Sequence, residues 1–368
     1  MNPFRPYELK QGITLRNRLV MAPMTTYSSQ PDLTVSEEEL NYYYLRSQSL
    51  GMVITAATSV NEQAQAFPLQ ITLKNDSYIP SMKRLAKAIK DGGAKAVVQI
   101  HHGGRMNDPK LYEDHENIVS ASNVKAERDP YITPRTMTKE EIYQTIEDFA
   151  QAAKRALLAG FDGVELHGAN TYLLQQFFSP HSNRRNDEFG GTLTNRMKFI
   201  ELLIQRTHEV MRMTTNEPFI LGYRFSPEEL EEPGITIDDT KTLIQKFKTL
   251  PLDYLHISLR KYNQTSNKDE EDNINIIDHI QEALNHEIPF IGVGQIETKE
   301  AVEDAIKSGY DLVAAGMILL SDPNWPHTIE QGLIPSKLLS KKTLPTPLFE
   351  RLKRNESAFA PRGYTFES

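Results

Sequence analysis

Eight short apolar runs, most of them followed by a helical stretch, set the strongest limit on how this 368-residue chain can fold. They fall at 18–24, 51–60, 94–100, 161–166, 219–225, 253–258, 290–294 and 311–316. Near-continuous Val, Ile, Leu and Ala at this length suit strands buried on both faces. Between them the pattern predicts helices over 79–90 (stopped by Gly92-Gly93), 138–158 (closed by Gly160), 194–213 and 238–250, and one ending by Gly309. Alternating strand and helix implies a parallel sheet, and eight units favour a closed (β/α)8 TIM barrel over a doubly wound sheet. No Pro/Gly/Ser-rich linker, internal repeat or low-complexity segment divides the series. The expectation is one α/β barrel over 1–335, with a C-terminal extension over 336–368 that can reach a neighbouring protomer.

Three segments lie outside the alternation. Lys10-Gln11-Gly12 between short alternating runs predicts a hairpin over 9–19. Ser36 with Glu39 forms a capping-box pattern and starts a helix that runs to about Leu50. After the third strand, 105–138 is polar, contains prolines and lacks a sustained period, so it reads as an excursion over one face, a candidate lid. The charged run 268–272 reads as a solvated loop.

Polar residues and glycines stand where most of the apolar runs end: Thr25, Gln99, His167, Arg224, Ser258, Gly294 and Gly316. Barrel enzymes collect their active sites at those carboxyl ends. The net charge of −8 leaves no basic footprint for nucleic acid or an anionic membrane. The absence of cysteine excludes disulfides, thiol catalysis and cysteine-held iron–sulfur clusters. Met1 to Glu8 lacks the apolar core of a signal peptide and no run approaches membrane-spanning length, so the expected compartment is the cytoplasm. Adjacent His101-His102 without an acidic cluster is a poor metal pattern, and no metal is expected.

The densest chemistry follows the fourth strand. His167 and Asn170 are three apart and share a face if one helical turn follows the strand. Two neutral donors can grip one oxygen, and the Tyr172 phenol can deliver a proton nearby. Such a trio would polarise a carbonyl and protonate the carbon beside it. A packed, hydrogen-bonded strand-end histidine is the plainer alternative for His167 alone, but no core requires all three groups at this spacing.

The run His167-Gly-Ala-Asn170-Thr-Tyr172-Leu, followed by Phe178-Ser-Pro-His-Ser-Asn-Arg-Arg-Asn-Asp-Glu-Phe189-Gly-Gly, resembles the signature of the Old Yellow Enzyme family. These are FMN-dependent NAD(P)H:flavin oxidoreductases, or ene-reductases. The resemblance covers roughly 1–335. It implies reduction of activated C=C bonds by ping-pong hydride transfer, with FMN as cofactor and NADPH or NADH as reductant. His167 and Asn170 would hold the substrate's carbonyl or nitro oxygen, and Tyr172 would protonate the α-carbon. Pro23, Met24 and Thr25 map beside the flavin ring, Ala57 and Gln99 onto residues that flank and read it, and Tyr27 onto the substrate pocket. Thr25 stands where some relatives carry a redox-sensing cysteine. Arg224 would contact N1 and the C2 carbonyl of the flavin, tuning its potential; a salt bridge to Glu165 is the structural alternative.

Gly294-Gln295 and Gly316-Met317 would hold the phosphate at the last two strand ends. There the family usually has Gly-Arg, and Met317 departs from it, leaving backbone N–H groups, Arg260 or Lys261 to compensate. Near the end, Arg362-Gly-Tyr364 resembles the terminal Arg-Gly-aromatic of a subgroup in which one protomer inserts an arginine into its neighbour's substrate site; an ordinary polar tail is the alternative. A homo-oligomer, dimer or higher, acting on a small-molecule substrate is implied. Two other functions stay open: a catalytically silent FMN-binding barrel, and a flavin-free isomerase or lyase acting on a phosphorylated substrate.

Overall fold

Strand β1 (Leu19–Met21) begins a closed ring that continues with β2 (Met52–Ile54), β3 (Lys95–His101), β4 (Gly163–Gly168), β5 (Ile220–Phe225), β6 (Tyr254–Ile257), β7 (Phe290–Val293) and β8 (Leu312–Ala315). The structure, a computed structural model, describes residues 2–269 and 271–367. Each strand runs parallel to its neighbours in the chain, and the ring is shut where Val313 to Ala315 of β8 pair with Leu19 to Met21 of β1. The closed (β/α)8 barrel that the alternation favoured is the fold observed.

One end of this barrel is plugged. The predicted hairpin pairs Tyr7–Glu8 with Thr14–Leu15, turning through left-handed Gln11 (φ 61°) and Gly12 (φ 76°). Its Leu9, Ile13 and Leu15 join an inner cluster that includes Val20, Met52, Ile54, Val97, Ile220, Ile291 and Leu312. Lys10 Nζ donates to the Leu252 carbonyl at 3.2 Å and the Gln11 amide to Asp253 Oδ1 at 3.2 Å, fixing the plug beneath β6. Only the carboxyl ends of the strands remain open to receive a ligand.

The second core lies between the outer strand faces and the helices, where Leu85, Ile89, Phe149, Ala153, Phe199, Leu203 and Phe247 are buried. Helix Glu37–Ser47 begins with the predicted capping box at Ser36/Glu39, and helix Lys139–Leu158, also predicted, begins with one at Thr138/Glu141. Two readings need adjustment. The run 51–60 is not one strand: after β2 the Ala56 N–H leaves the ladder for the Tyr43 hydroxyl (2.8 Å), and Thr58–Ser59 pairs separately with the end of β3. The predicted helices also omit Ile276–Leu284, which follows the charged run 268–272 and buries Ile276, Ile277, Ile280 and Leu284. Within that run Glu270 lies outside the described residues; Asp269 and Glu271 are exposed, as a solvated loop requires.

The excursion 105–138 is built from short turns capped by Asp108 and Asp114 and from a two-residue strand pair, Val119–Ser120 with Arg135–Thr136. The extension folds back on its own barrel. Buried Arg46 donates to the carbonyls of Leu319 (2.8 Å) and Thr343 (3.0 Å), and Glu38 accepts from the Thr346 N–H at 2.8 Å. No helix among the described residues is long and apolar enough to cross a membrane.

Candidate active site

The strand ends gather the expected residues into one rim with two unlike sides. On the β3–β4 side, aromatic rings pack against one another. His101 lies 4.3 Å from Tyr172 and 5.4 Å from His167 between centroids, and His167 lies 4.9 Å from Tyr172. Phe67 joins them at 6.1 Å from both His101 and Tyr172, and Tyr27 packs edge-on against Phe67 at 5.8 Å.

Hydrogen bonds fix which atoms face the open end. The Ala169 N–H donates to His167 Nδ1 at 3.3 Å, so the proton of a neutral ring sits on Nε2. Burial, with help from His101 and Arg224, holds the His167 imidazole well below its ordinary pKa, and it is a neutral donor. Burial likewise presses His101 and His102 down to about 3. His101 Nδ1 meets Gln70 Nε2 at 3.2 Å and His102 Nδ1 accepts from the Gly104 N–H at 3.1 Å, so both support the floor. Burial raises the Tyr172 phenol, with Tyr131 and Tyr27 adding to the effect. The phenol therefore keeps its proton at neutral pH. Arg128 of the excursion stands 5.4 Å over the Tyr131 ring and lines a small cavity with Thr171, so that segment lies beside this side.

Asn170 arrives differently from the sequence expectation. No helical turn follows β4: Asn170 (φ 57°) and Thr171 (φ 67°) are both left-handed, and the next helix, Leu173–Phe178, begins after Tyr172. Asparagine tolerates this conformation, which lets the chain turn sharply. Asn170 Oδ1 accepts from Ser258 Oγ at 2.8 Å, which orients the amide and keeps its NH2 available as a donor. Ser258 in turn accepts from Arg224 Nη2 at 3.3 Å. A relay from Arg224 through Ser258 to Asn170 thus crosses the rim.

Below the rim, Glu165 is fully buried but fully engaged, accepting from Gln99 Nε2 (2.7 Å), Tyr254 Oη (3.0 Å) and His256 Nδ1 (2.9 Å). Burial pushes this carboxyl up, but His256, Arg224 and Gln99 outweigh it and hold it below its ordinary range. No ion pair joins Arg224 to Glu165 among the described residues, so the structural alternative for Arg224 is not realised. Its Nε is buried without an acceptor among the described residues. Leaving such a donor unmatched costs about 1–3 kcal/mol, more for a charged group, which marks it as aimed at a missing anion or carbonyl. Gln99, its nitrogen spent on Glu165, offers its carbonyl oxygen.

Pro23, Met24 and Thr25 after β1 are half-buried along the same rim, while Thr26 turns inward and donates to Glu39 Oε1 at 2.5 Å. Ala57 is buried, its carbonyl accepting from Gln70 Nε2 at 3.0 Å.

The β7–β8 side has no aromatic wall. Gly294, Gln295, Gly316 and Met317 line a cavity of about 290 Å3 together with Leu259, Arg260 and Arg362. Gly294 has φ 122°, and a Cβ there would sit 2.7 Å from the Lys261 backbone nitrogen, so only glycine lets β7 end this close to the loop after β6. Arg260 also lines an adjoining space of about 430 Å3 with Asn170 and Ser258. Arg362 lies beside Met317 of its own chain: its Nη1 is 3.4 Å from Met317 Sδ.

The sequence reading missed Phe67 and the Ser258 relay. Phe67 lies in an irregular loop after the second strand, where no spacing rule applies. Ser258 was visible as a strand-end hydroxyl, but its partners lie 34 and 88 residues away.

Comparison with known proteins gives the family and the fold. The "Probable NADH-dependent flavin oxidoreductase YqiG" of Bacillus subtilis is 40% identical over 364 residues, covering 96% of this chain and 97% of that protein. The "NADH:acrylate oxidoreductase" of Vibrio harveyi is 46% identical over 321 residues, 86% of this chain; the chain spans only 32% of the length of that relative. The old yellow enzyme homologue of Zymomonas mobilis superposes with a TM-score of 0.80 at 22% identity, covering 94% of this chain and 99% of that one. Residues 3–335 match the NADH:flavin oxidoreductase / NADH oxidase family, and the chain belongs to it.

Proposed function

We propose that this flavin oxidoreductase holds FMN across the rim and uses NADH or NADPH to reduce activated C=C bonds in α,β-unsaturated carbonyl or nitro compounds. The observation that carries this reading is the unmatched Arg224 Nε, buried at the centre of a rim whose other groups suit one flavin. The Gln99 carbonyl oxygen suits an imide N–H, Arg224 an anionic pyrimidine edge, and the glycine-lined cavity at β7–β8 a phosphate. Pro23, Met24, Thr25 and Ala57 would border the ring.

Bound FMN supplies hydride acceptance from the nicotinamide and hydride delivery to an electron-poor carbon. The chain's own residues supply the rest. His167 Nε2–H and the Asn170 amide donate to the substrate oxygen, drawing charge toward it and leaving the β-carbon electrophilic. Both donors are neutral, so neither surrenders its proton to that oxygen. Tyr172 holds a proton at its phenolic oxygen and passes it to the α-carbon. Tyr27 and Phe67 wall the pocket, and the excursion carrying Tyr131 limits water. Reductases named for acrylate and fumarate are among the relatives, but this chain spans about a third of each, so those substrates are not carried over.

The two half-reactions test the proposal. NADH or NADPH should bleach the flavin of the wild type, and 2-cyclohexenone should restore it. Bleaching without recovery on any activated alkene would favour a silent flavoprotein, and a protein that takes up no flavin would favour the phosphosubstrate alternative.

A further inference from the structure

We propose that Arg362, on the C-terminal tail of the same chain, supplies the guanidinium that grips the FMN phosphate where Met317 leaves no charge. The inference rests on the FMN reading above and names how this chain meets that reading's weakest point. Met317 follows Gly316 directly after β8, and a thioether cannot neutralise a phosphate dianion. Arg362 Nη1 stands 3.4 Å from Met317 Sδ, and both line the cavity bounded by Gly294 and Gly316.

The tail is fastened so that this placement persists. Gly363 (φ 80°) turns the chain immediately after Arg362. The next residue, Tyr364, is buried and donates to Glu297 Oε1 at 2.8 Å. Lys337 Nζ holds the Arg362 carbonyl at 2.8 Å and pairs with Glu297 Oε2 at 2.8 Å. Thr365–Phe366 then runs beside Leu338–Leu339.

Charge points the same way. Among the described residues Glu297 is the one acidic residue lining this cavity, and Lys337 and Tyr364 already engage its two oxygens. The remaining charged groups are Arg260 and Arg362, and neither has a carboxylate partner among the described residues. Two guanidinium groups facing one small cavity suit a dianion. A contact with a thioether is weak, so phosphate can draw Arg362 from it.

The test compares FMN with riboflavin, which lacks the phosphate, by fluorescence titration of the apoprotein. Wild type should prefer FMN. Arg362→Ala should lose about tenfold or more in FMN affinity, as expected for one charge-assisted contact, while riboflavin affinity holds. Arg362→Lys should fall between, and adding Met317→Arg to Arg362→Ala should restore the preference. An unchanged FMN-to-riboflavin ratio in Arg362→Ala would overturn the inference, as would equal loss of both flavins, which marks a folding role for the tail. Intact FMN preference with altered phenol binding would also overturn it, returning Arg362 to a neighbour's substrate site. Wild type that binds neither flavin would refute the FMN reading itself, a result distinct from these.

Discussion

The two sides of the rim stand on one ring of strands yet solve opposite electrostatic problems. On the β3–β4 side, packed rings and burial strip charge away: His101, His102 and His167 are all driven below their ordinary pKa, and Tyr172 above its own. On the β7–β8 side the wall is glycine backbone, and the formal charges are brought in from the loop after β6 and from the tail. The difference teaches that the neutral side is suited to polarising and protonating a substrate, while the charged side is suited to anchoring. Arg224, Ser258 and Asn170 join the two.

The largest test isolates the neutral side. Tyr172→Phe should slow flavin reoxidation by 2-cyclohexenone about a hundredfold or more, the range of a lost general acid, while stopped-flow bleaching by NADH stays near wild type. Equal loss in both half-reactions would erase the division between the sides. Next, Arg224→Met removes the cation at the junction. FMN affinity should fall about tenfold or more, since a charged hydrogen bond contributes about 1.5–3 kcal/mol. Riboflavin should weaken in parallel, because Arg224 is read against the ring; Arg362→Ala should weaken FMN alone. The same pattern in both variants would contradict the separation.

A smaller effect comes from the relay. Ser258→Ala frees the Asn170 amide to rotate, so binding of a para-substituted phenol should weaken a few-fold, about 1 kcal/mol for one neutral hydrogen bond, with FMN content unchanged. The smallest concerns Glu39 beneath the β1 end, whose carboxyl burial raises from 4.5 to about 7 despite hydrogen bonds from Thr26 and Ser36. A folded chain that keeps this proton while the unfolded chain has lost it becomes less stable as pH rises from about 4.5 to about 7. In Glu39→Gln that part of the decline in melting temperature should vanish; an unaltered slope would assign it elsewhere.

The barrel was legible because its elements are local. Apolar runs, capping boxes at Ser36 and Thr138, and stops at Gly92 and Gly160 each act within a few residues of themselves. His167, Asn170 and Tyr172 were legible for the same reason, being six positions of one segment. What brings them together was not: left-handed Asn170 and Thr171 replace the helical turn that spacing suggested, since a sharp turn leaves no periodic trace. Glu165 shows the other limit. Its partners come from two other strands, Gln99 from β3 and Tyr254 and His256 from β6, and only closure of the barrel reveals that its oxygens are taken while the Nε of Arg224 is not. Arg362 was singled out by its motif, but its neighbour Met317 is 45 residues away, across a tail whose path no local rule sets.

The central claim is that one flavin spans both sides of this rim. Its most direct test is the visible absorption of the apoprotein titrated first with FMN and then with a para-substituted phenol. The account predicts a bound-flavin spectrum at one equivalent, followed by a long-wavelength band as the phenol stacks on the ring beneath His167 and Asn170. Folded protein that leaves FMN free in solution, or a bound flavin whose spectrum no phenol perturbs, would contradict it.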